Sequence, residues 1–203
     1  MSEPGGGRPR RPIFFDAAAL EAHGGAVDPV AQIEAAHESA AVLVRSGRAA
    51  DDPALTARLV ALVDEVGLAT VADLWAARPA RSLPGALWRL YAVREWVRRH
   101  PLEASREYAA GMRFADVDRV VAGAAEPPGP QELADLLDAV LRGVFVGDFA
   151  VALHRAAAFC RVVSAGRADL TEGSRSAFSA ADLAGTADDL DAAAALWREG
   201  GLV

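Results

Sequence analysis

Val146–Ala165 reads VGDFAVALHRAAAFCRVVSA. Wound as a helix, Phe149, Val151, Leu153, Phe159, Cys160, Val162 and Val163 cover nearly every side of it. A helix that is apolar all round is normally central and buried. The segments on either side are amphipathic, as the neighbours of such a helix must be. Upstream, Leu133, Leu136, Leu137, Val140 and Leu141 recur at helical spacing. Glu132 stands in the first turn of that segment, where the helix dipole favours a negative charge. Before it, residues 123–130 read GAAEPPGP, the clearest break in the chain and a candidate hinge between two lobes. Downstream, residues 166–178 read as a polar loop. Ser179 then caps a short helix, and Thr186 caps a last one carrying Leu190, Ala194 and Trp197 before Gly200 and Gly201.

The N-terminal half carries the same signals. Asp28-Pro29 starts a helix that Gly47 ends. Asp52-Pro53 starts another, with Leu55, Leu59, Leu62, Val63 and Val66 on one face and Gly67 at its end. Thr70 caps a short helix over Val71–Ala77. Ser82 opens a long one to Arg99, with Leu83, Leu87, Leu90 and Val97 as its buried stripe. Pro101 restarts the chain for a helix to Ala110, and Asp116–Ala122 adds a short one. Residues 1–12, rich in Gly, Pro and Arg, read as a disordered tail. Ile13, Phe14 and Phe15 pin the chain to the body, and Asp16 caps a short helix over 17–22. There is no period-two strand pattern and no internal repeat. The expectation is an all-α bundle or array of about eight or nine helices, one domain over 13–203.

Composition narrows the function classes. The chain has 203 residues, 52% apolar and 24% charged, which is ordinary for a globular protein. Its basic residues are all Arg, so a Schiff-base lysine and a phosphate-loop lysine are excluded. The absence of Asn excludes N-glycosylation. A net charge of −7 disfavours a general nucleic-acid binder. Cys160 is the single cysteine, so no intramolecular disulfide forms. No run of about 18 apolar residues predicts a membrane span. The N-terminal residues lack the apolar stretch of a signal peptide, and a cytoplasmic location is expected.

Few residues suggest chemistry. Glu34 and His37 have the i, i+3 spacing of a di-iron helix, but no second copy of the motif accompanies them. His23, His37, His100 and His154 are scattered, so neither a metal nor a cofactor is expected. Cys160 and His154 lie six residues apart, off a common helix face, and a buried inert thiol is the better reading. The helix–Gly67–helix turn resembles units that meet DNA phosphates, though Asp64, Glu65 and Asp73 crowd it with negative charge. No phosphate loop, nucleophile elbow or dinucleotide fingerprint occurs.

The one basic helix face carries Arg89, Arg94, Arg98, Arg99 and His100, interleaved with Trp88, Tyr91 and Trp96. Arg94 falls on the apolar stripe. It reads either as a snorkelling arginine or as a buried one held by a carboxylate, and it is the first place to look for an anion site. Arg89, Arg94, Trp96, Arg98 and Arg99 therefore form the candidate interaction or anion-binding surface.

Leu83–Arg99, LPGALWRLYAVREWVRR, and Gly147–Cys160, GDFAVALHRAAAFC, resemble a family of small all-helical proteins from high-GC actinobacteria. No activity is established for that family, so the resemblance implies the helical fold and carries over no functional residue. The leading expectation is a non-catalytic interaction or regulatory protein with an unknown protein partner or self-association. The first alternative is a helical enzyme or small-anion-binding protein with its site near Arg94. The second is a DNA-associated protein using the Gly67 turn and Arg8–Arg11.

Overall fold

The computed structural model describes residues 28–124, 126–170 and 179–203. The expected tail over 1–12, the Ile13–Phe15 anchor and the helix over 17–22 lie outside the described residues. Among the described residues there are ten helices and no strand, against the eight or nine helices expected. They are α1 Pro29–Ala50, α2 Pro53–Val60, α3 Leu62–Val66, α4 Leu68–Trp75 and α5 Leu83–Arg99, followed by α6 Pro101–Gly111, α7 Asp116–Ala122, α8 Pro130–Val146, α9 Phe149–Asp169 and α10 Ala180–Arg198.

The starts follow local chemistry. Asp28 accepts from the Val30 N–H at 3.0 Å and Asp52 from the Ala54 N–H at 2.8 Å, each ahead of a proline that has no N–H to satisfy. Ser82 accepts from the Gly85 N–H at 3.3 Å. Asp148 caps α9 through the Ala150 and Val151 amides. α9 is the axis of the fold, packed against α6, α7, α8 and α10. Phe149, Leu153, Ala157, Phe159, Cys160, Val162 and Val163 are fully buried along it. Each large apolar side chain buried this way contributes on the order of 1.5–3 kcal/mol. By length and composition α9 also suits a membrane crossing, but 67% of its most apolar window is buried inside the protein.

α6 and α9 cross in backbone contact. A Cβ on Gly111 would lie 1.8 Å from the Val162 carbonyl oxygen, and one on Gly166 1.7 Å from the Glu107 carbonyl oxygen. Only glycine permits that approach. The core is one apolar cluster that draws on helices before and after residues 123–130, among them Leu87 and Val97 before the break and Leu133, Leu141 and Leu183 after it. Pro128, in that connection, accepts a hydrogen bond from the Ser105 hydroxyl at 2.8 Å.

Five features of the helix boundaries differ from the sequence expectation. α1 runs through Gly47 to Ala50, because Phe145 and Leu59 pack where a Gly47 side chain would stand. The helix from Pro53 is interrupted at Ala61, giving α2 and α3. α4 begins at Leu68 after Gly67, whose φ of +85° suits glycine. Thr70 is not its cap, since its hydroxyl donates to the Val66 carbonyl. Similarly, Thr186 donates to the Asp182 carbonyl inside α10, which is one helix capped by Ser179 and Asp182. α9 extends through Gly166 to Asp169, where a polar loop was expected, and residues 171–178 lie outside the described residues.

Candidate functional site

The basic face of α5 is mostly interior. The Arg94 side chain is only 3% exposed; its Nε donates to Asp138 at 2.6 Å and its Nη2 to Asp64 at 3.2 Å. Burial opposes the Arg94 charge, but the hydrogen bonds and charges of Asp138 and Asp64 outweigh it and hold the guanidinium above its ordinary range. Arg98 stands 3.6 Å from Asp64 and 3.8 Å from Asp138, completing a two-arginine, two-carboxylate group. Arg89 donates to Gly85 and to Asp189, each at 3.1 Å. Trp96 is buried beneath the Arg167 guanidinium, 4.9 Å from the ring centre, and Trp88 is half-buried against the core. Arg99 is exposed and paired with Glu95 at 2.6 Å. Of the five expected residues, only Arg98 and Arg99 face solvent, and each meets a carboxylate. They do not form an open cationic surface. Arg94 in particular is a structural ion pair with no access for an outside anion.

The other candidates are also held in place. Cys160 is fully buried, and burial pushes its thiol up to about 12 against a small opposing pull from Arg161. Glu34 is exposed and His37 half-buried. Among the described residues no three His, Cys, Asp or Glu side chains converge as metal ligands would. His154 has a partner that sequence reasoning missed: its Nδ1 lies 2.6 Å from Asp191 on α10, and its Nε2 lies 2.7 Å from the Arg198 guanidinium. Arginine has only donors, so Nε2 accepts and the proton sits on Nδ1, toward Asp191. An Asp–His pair of this kind serves catalysis when the free ring nitrogen faces a nucleophile or substrate. Here Arg198 occupies that nitrogen.

An open cleft among the described residues lies elsewhere. A cleft of about 630 Å³ runs between α1, the start of α5, the end of α10 and the residues after it. Ala41, Val44, Leu83, Trp197 and Leu202 give it apolar walls, and His37, Arg45 and Arg48 stand along its α1 side. Trp197 is fixed by an edge-on contact with Phe149 at 4.6 Å. Gly200, at φ +75°, turns the chain back after α10, and the Gly201 N–H donates to Leu196 at 2.8 Å. That reversal buries Leu202 and lets the Leu83 N–H donate to the Val203 oxygen at 3.1 Å, closing one wall. A second recess of about 490 Å³ adjoins the cleft, sharing Arg48 and Trp197 and adding Asp148 and Arg198.

Three arginines border this place. Arg48 donates through Nη1 to the Gly147 and Val144 carbonyls, at 2.8 and 3.3 Å, and so caps the C-terminal end of α8. Among the described residues Arg45, Arg48 and Arg198 have no carboxylate within 4.0 Å. Asp148 is the acidic side chain of the recess, and its Oδ1 is engaged by the α9 amides. The arrangement offers apolar area beside cationic hydrogen-bond donors. It holds no nucleophile paired with a base.

No protein-family model matches the chain, and neither the curated proteins nor the solved structures contain a match to it.

Proposed function

We propose that this is a non-catalytic binding protein of the cytoplasm, working through the cleft bounded by α1, the end of α10 and Leu202–Val203. One observation carries the reading: an open, apolar-walled cleft of about 630 Å³ lies on a molecule whose Arg94, Cys160 and His154 are buried or paired. That volume falls within the ~300–1,000 Å³ usual for small-molecule sites. The single cysteine, Cys160, is a buried free thiol, which a reducing compartment accommodates. The test uses 8-anilinonaphthalene-1-sulfonate, whose fluorescence rises in apolar sites. Saturable binding of one probe per chain is expected, abolished by Ala41→Trp at an unchanged melting temperature. Equal probe binding by the wild type and a folded Ala41→Trp variant would remove the cleft from the account.

A second reading, self-association, draws on a different place. Phe114, Val117, Val120 and Val121 are 61%, 76%, 65% and 43% exposed around α7. Val117, Val120 and Val121 lie along one side of α7 and Phe114 stands in the turn before it, and an exposed apolar face is a common mark of a protein contact. Sedimentation as a dimer that Val117→Glu dissociates is the expected result. A wild-type monomer at high concentration would end this reading.

A further inference from the structure

We propose that the cleft takes a small amphipathic anion, a carboxylate on an apolar tail, free in solution. This rests on the reading of the cleft as the binding site. The tail lies against Ala41, Val44, Leu83 and Trp197, and the carboxylate sits where the cleft meets the recess, between Arg48 and Arg198. Three features point to that chemistry. First, the apolar walls are continuous, so the body of the ligand is apolar. Second, the cationic groups gather at one place. Arg48 and Arg198 border the shared end, and Arg45 stands one helical turn before Arg48 on the same face of α1.

Third, these guanidinium groups keep free donors. Arg48 uses Nη1 for the α8 carbonyls, and Arg198 uses Nη1 for His154. Their remaining N–H groups can grip a carboxylate in the forked geometry that arginine favours. Some arginines of this chain meet its own carboxylates, as Arg94 meets Asp138 and Arg167 meets Glu107. Of the described ones that do not, Arg45, Arg48 and Arg198 border the cleft and its recess, while Arg78, Arg106, Arg142 and Arg155 stand apart from both. Around the cleft no carboxylate among the described residues lies within 4.0 Å of these guanidinium groups, and Asp148 in the recess turns Oδ1 to the α9 amides, so their donors stay open to an outside carboxylate. The small size of the anion follows from the net charge of −7. A polyanion or an anionic bilayer would meet the rest of an acidic surface, whereas one compact charge meets only the cleft.

The test compares octanoate, octanol and octyltrimethylammonium, each titrated into the full chain. Calorimetry gives affinity, and the Trp197 indole N–H resonance, assigned with Trp197→Phe, gives location. Octanoate is expected to shift that resonance and to bind at least about 10-fold tighter than octanol, in line with charge-assisted hydrogen bonds. Arg45→Gln and Arg198→Gln are each expected to weaken octanoate about 3-fold to 10-fold and to leave octanol unchanged. Arg45 makes no hydrogen bond among the described residues, and the Arg198 side chain, in the last turn of α10, bonds only the His154 Nε2 and no helix carbonyl, so both variants are expected to fold. Octanol binding as tightly as octanoate, or insensitivity of octanoate to both variants, overturns the anion proposal and leaves the cleft as a binding site. Preference for phosphatidylglycerol vesicles over free octanoate overturns it in favour of a membrane surface. If neither the three titrants nor the anilinonaphthalene probe moves the Trp197 resonance, the cleft reading itself falls.

Discussion

Arg167 lies on the axial helix with 4% of its side chain exposed, its guanidinium 2.6–3.0 Å from both Glu107 oxygens and over the face of Trp96. Arg45, on the outer helix α1, is exposed and meets no carboxylate among the described residues. The two share a side chain and differ in what surrounds it. An arginine taken out of water must be paired and hydrogen-bonded, because an isolated buried charge costs several kcal/mol. One left in water needs no partner. Charge in the interior of this molecule therefore describes how the helices are joined. Charge left unpaired beside an apolar cleft describes what the surface can receive.

The sharpest way to break the interior half of that comparison is Glu107→Ala. It removes the carboxylate that Arg167 grips, and a loss of about 3–5 kcal/mol in unfolding free energy is expected from urea denaturation. A loss under about 1 kcal/mol would mean that the pair contributes little beyond its packing. Gly166→Ala probes the same joint through sterics. Its new Cβ would fall 1.7 Å from the Glu107 carbonyl oxygen, a backbone atom that cannot rotate aside. Separation of α6 from α9 is expected, with a loss of about 1–3 kcal/mol or more. A melting temperature unchanged from wild type would show that the crossing is looser than described.

Four helix starts were legible in the sequence, and the joints between the helices were not. Asp28-Pro29, Asp52-Pro53, Ser82 and Pro101 announce helices because capping and proline chemistry act within a few residues. Gly47 and Gly166 look like stops and are helical, because their lack of a side chain serves a neighbour far along the chain. Arg94 on an apolar stripe signals a buried charge, but Asp64 and Asp138, 30 and 44 residues away, decide its role. The cleft was invisible for a related reason. Arg45 and Arg48 are ordinary until folding brings Trp197 and Leu202 beside them and no carboxylate with them.

Interior and surface also separate along the pH axis. Burial pushes the Cys160 thiol and the Tyr108 hydroxyl each up to about 12, from ordinary values of 9.0 and 10.0. The unfolded chain therefore releases these protons at a lower pH than the folded one. Their contribution to stability is fully present below about pH 9 and falls as pH rises toward 12. Denaturation midpoints are expected to decline steadily over that window, and less steeply in Cys160→Ala. Iodoacetamide at pH 8 is expected to leave Cys160 unmodified in the folded protein and to label it in denaturant. Rapid labelling of the native chain would show that α9 opens to solvent.

The smallest expected effect on stability belongs to Arg45→Gln. An exposed side chain with no hydrogen bond among those described and no carboxylate partner has little to lose, and the change should fall within about 0.5 kcal/mol in either direction. The comparison becomes useful at this point, because the same substitution is expected to weaken octanoate binding severalfold. A residue that matters to binding and not to folding is what an unpaired surface charge should be. Glu107→Ala provides the reverse pattern, large in stability and, measured where the variant remains folded, without effect on octanoate affinity. If Arg45→Gln instead destabilised the protein as Glu107→Ala does, the division between joining charges and receiving charges would not hold, and Arg45 would belong with Arg167.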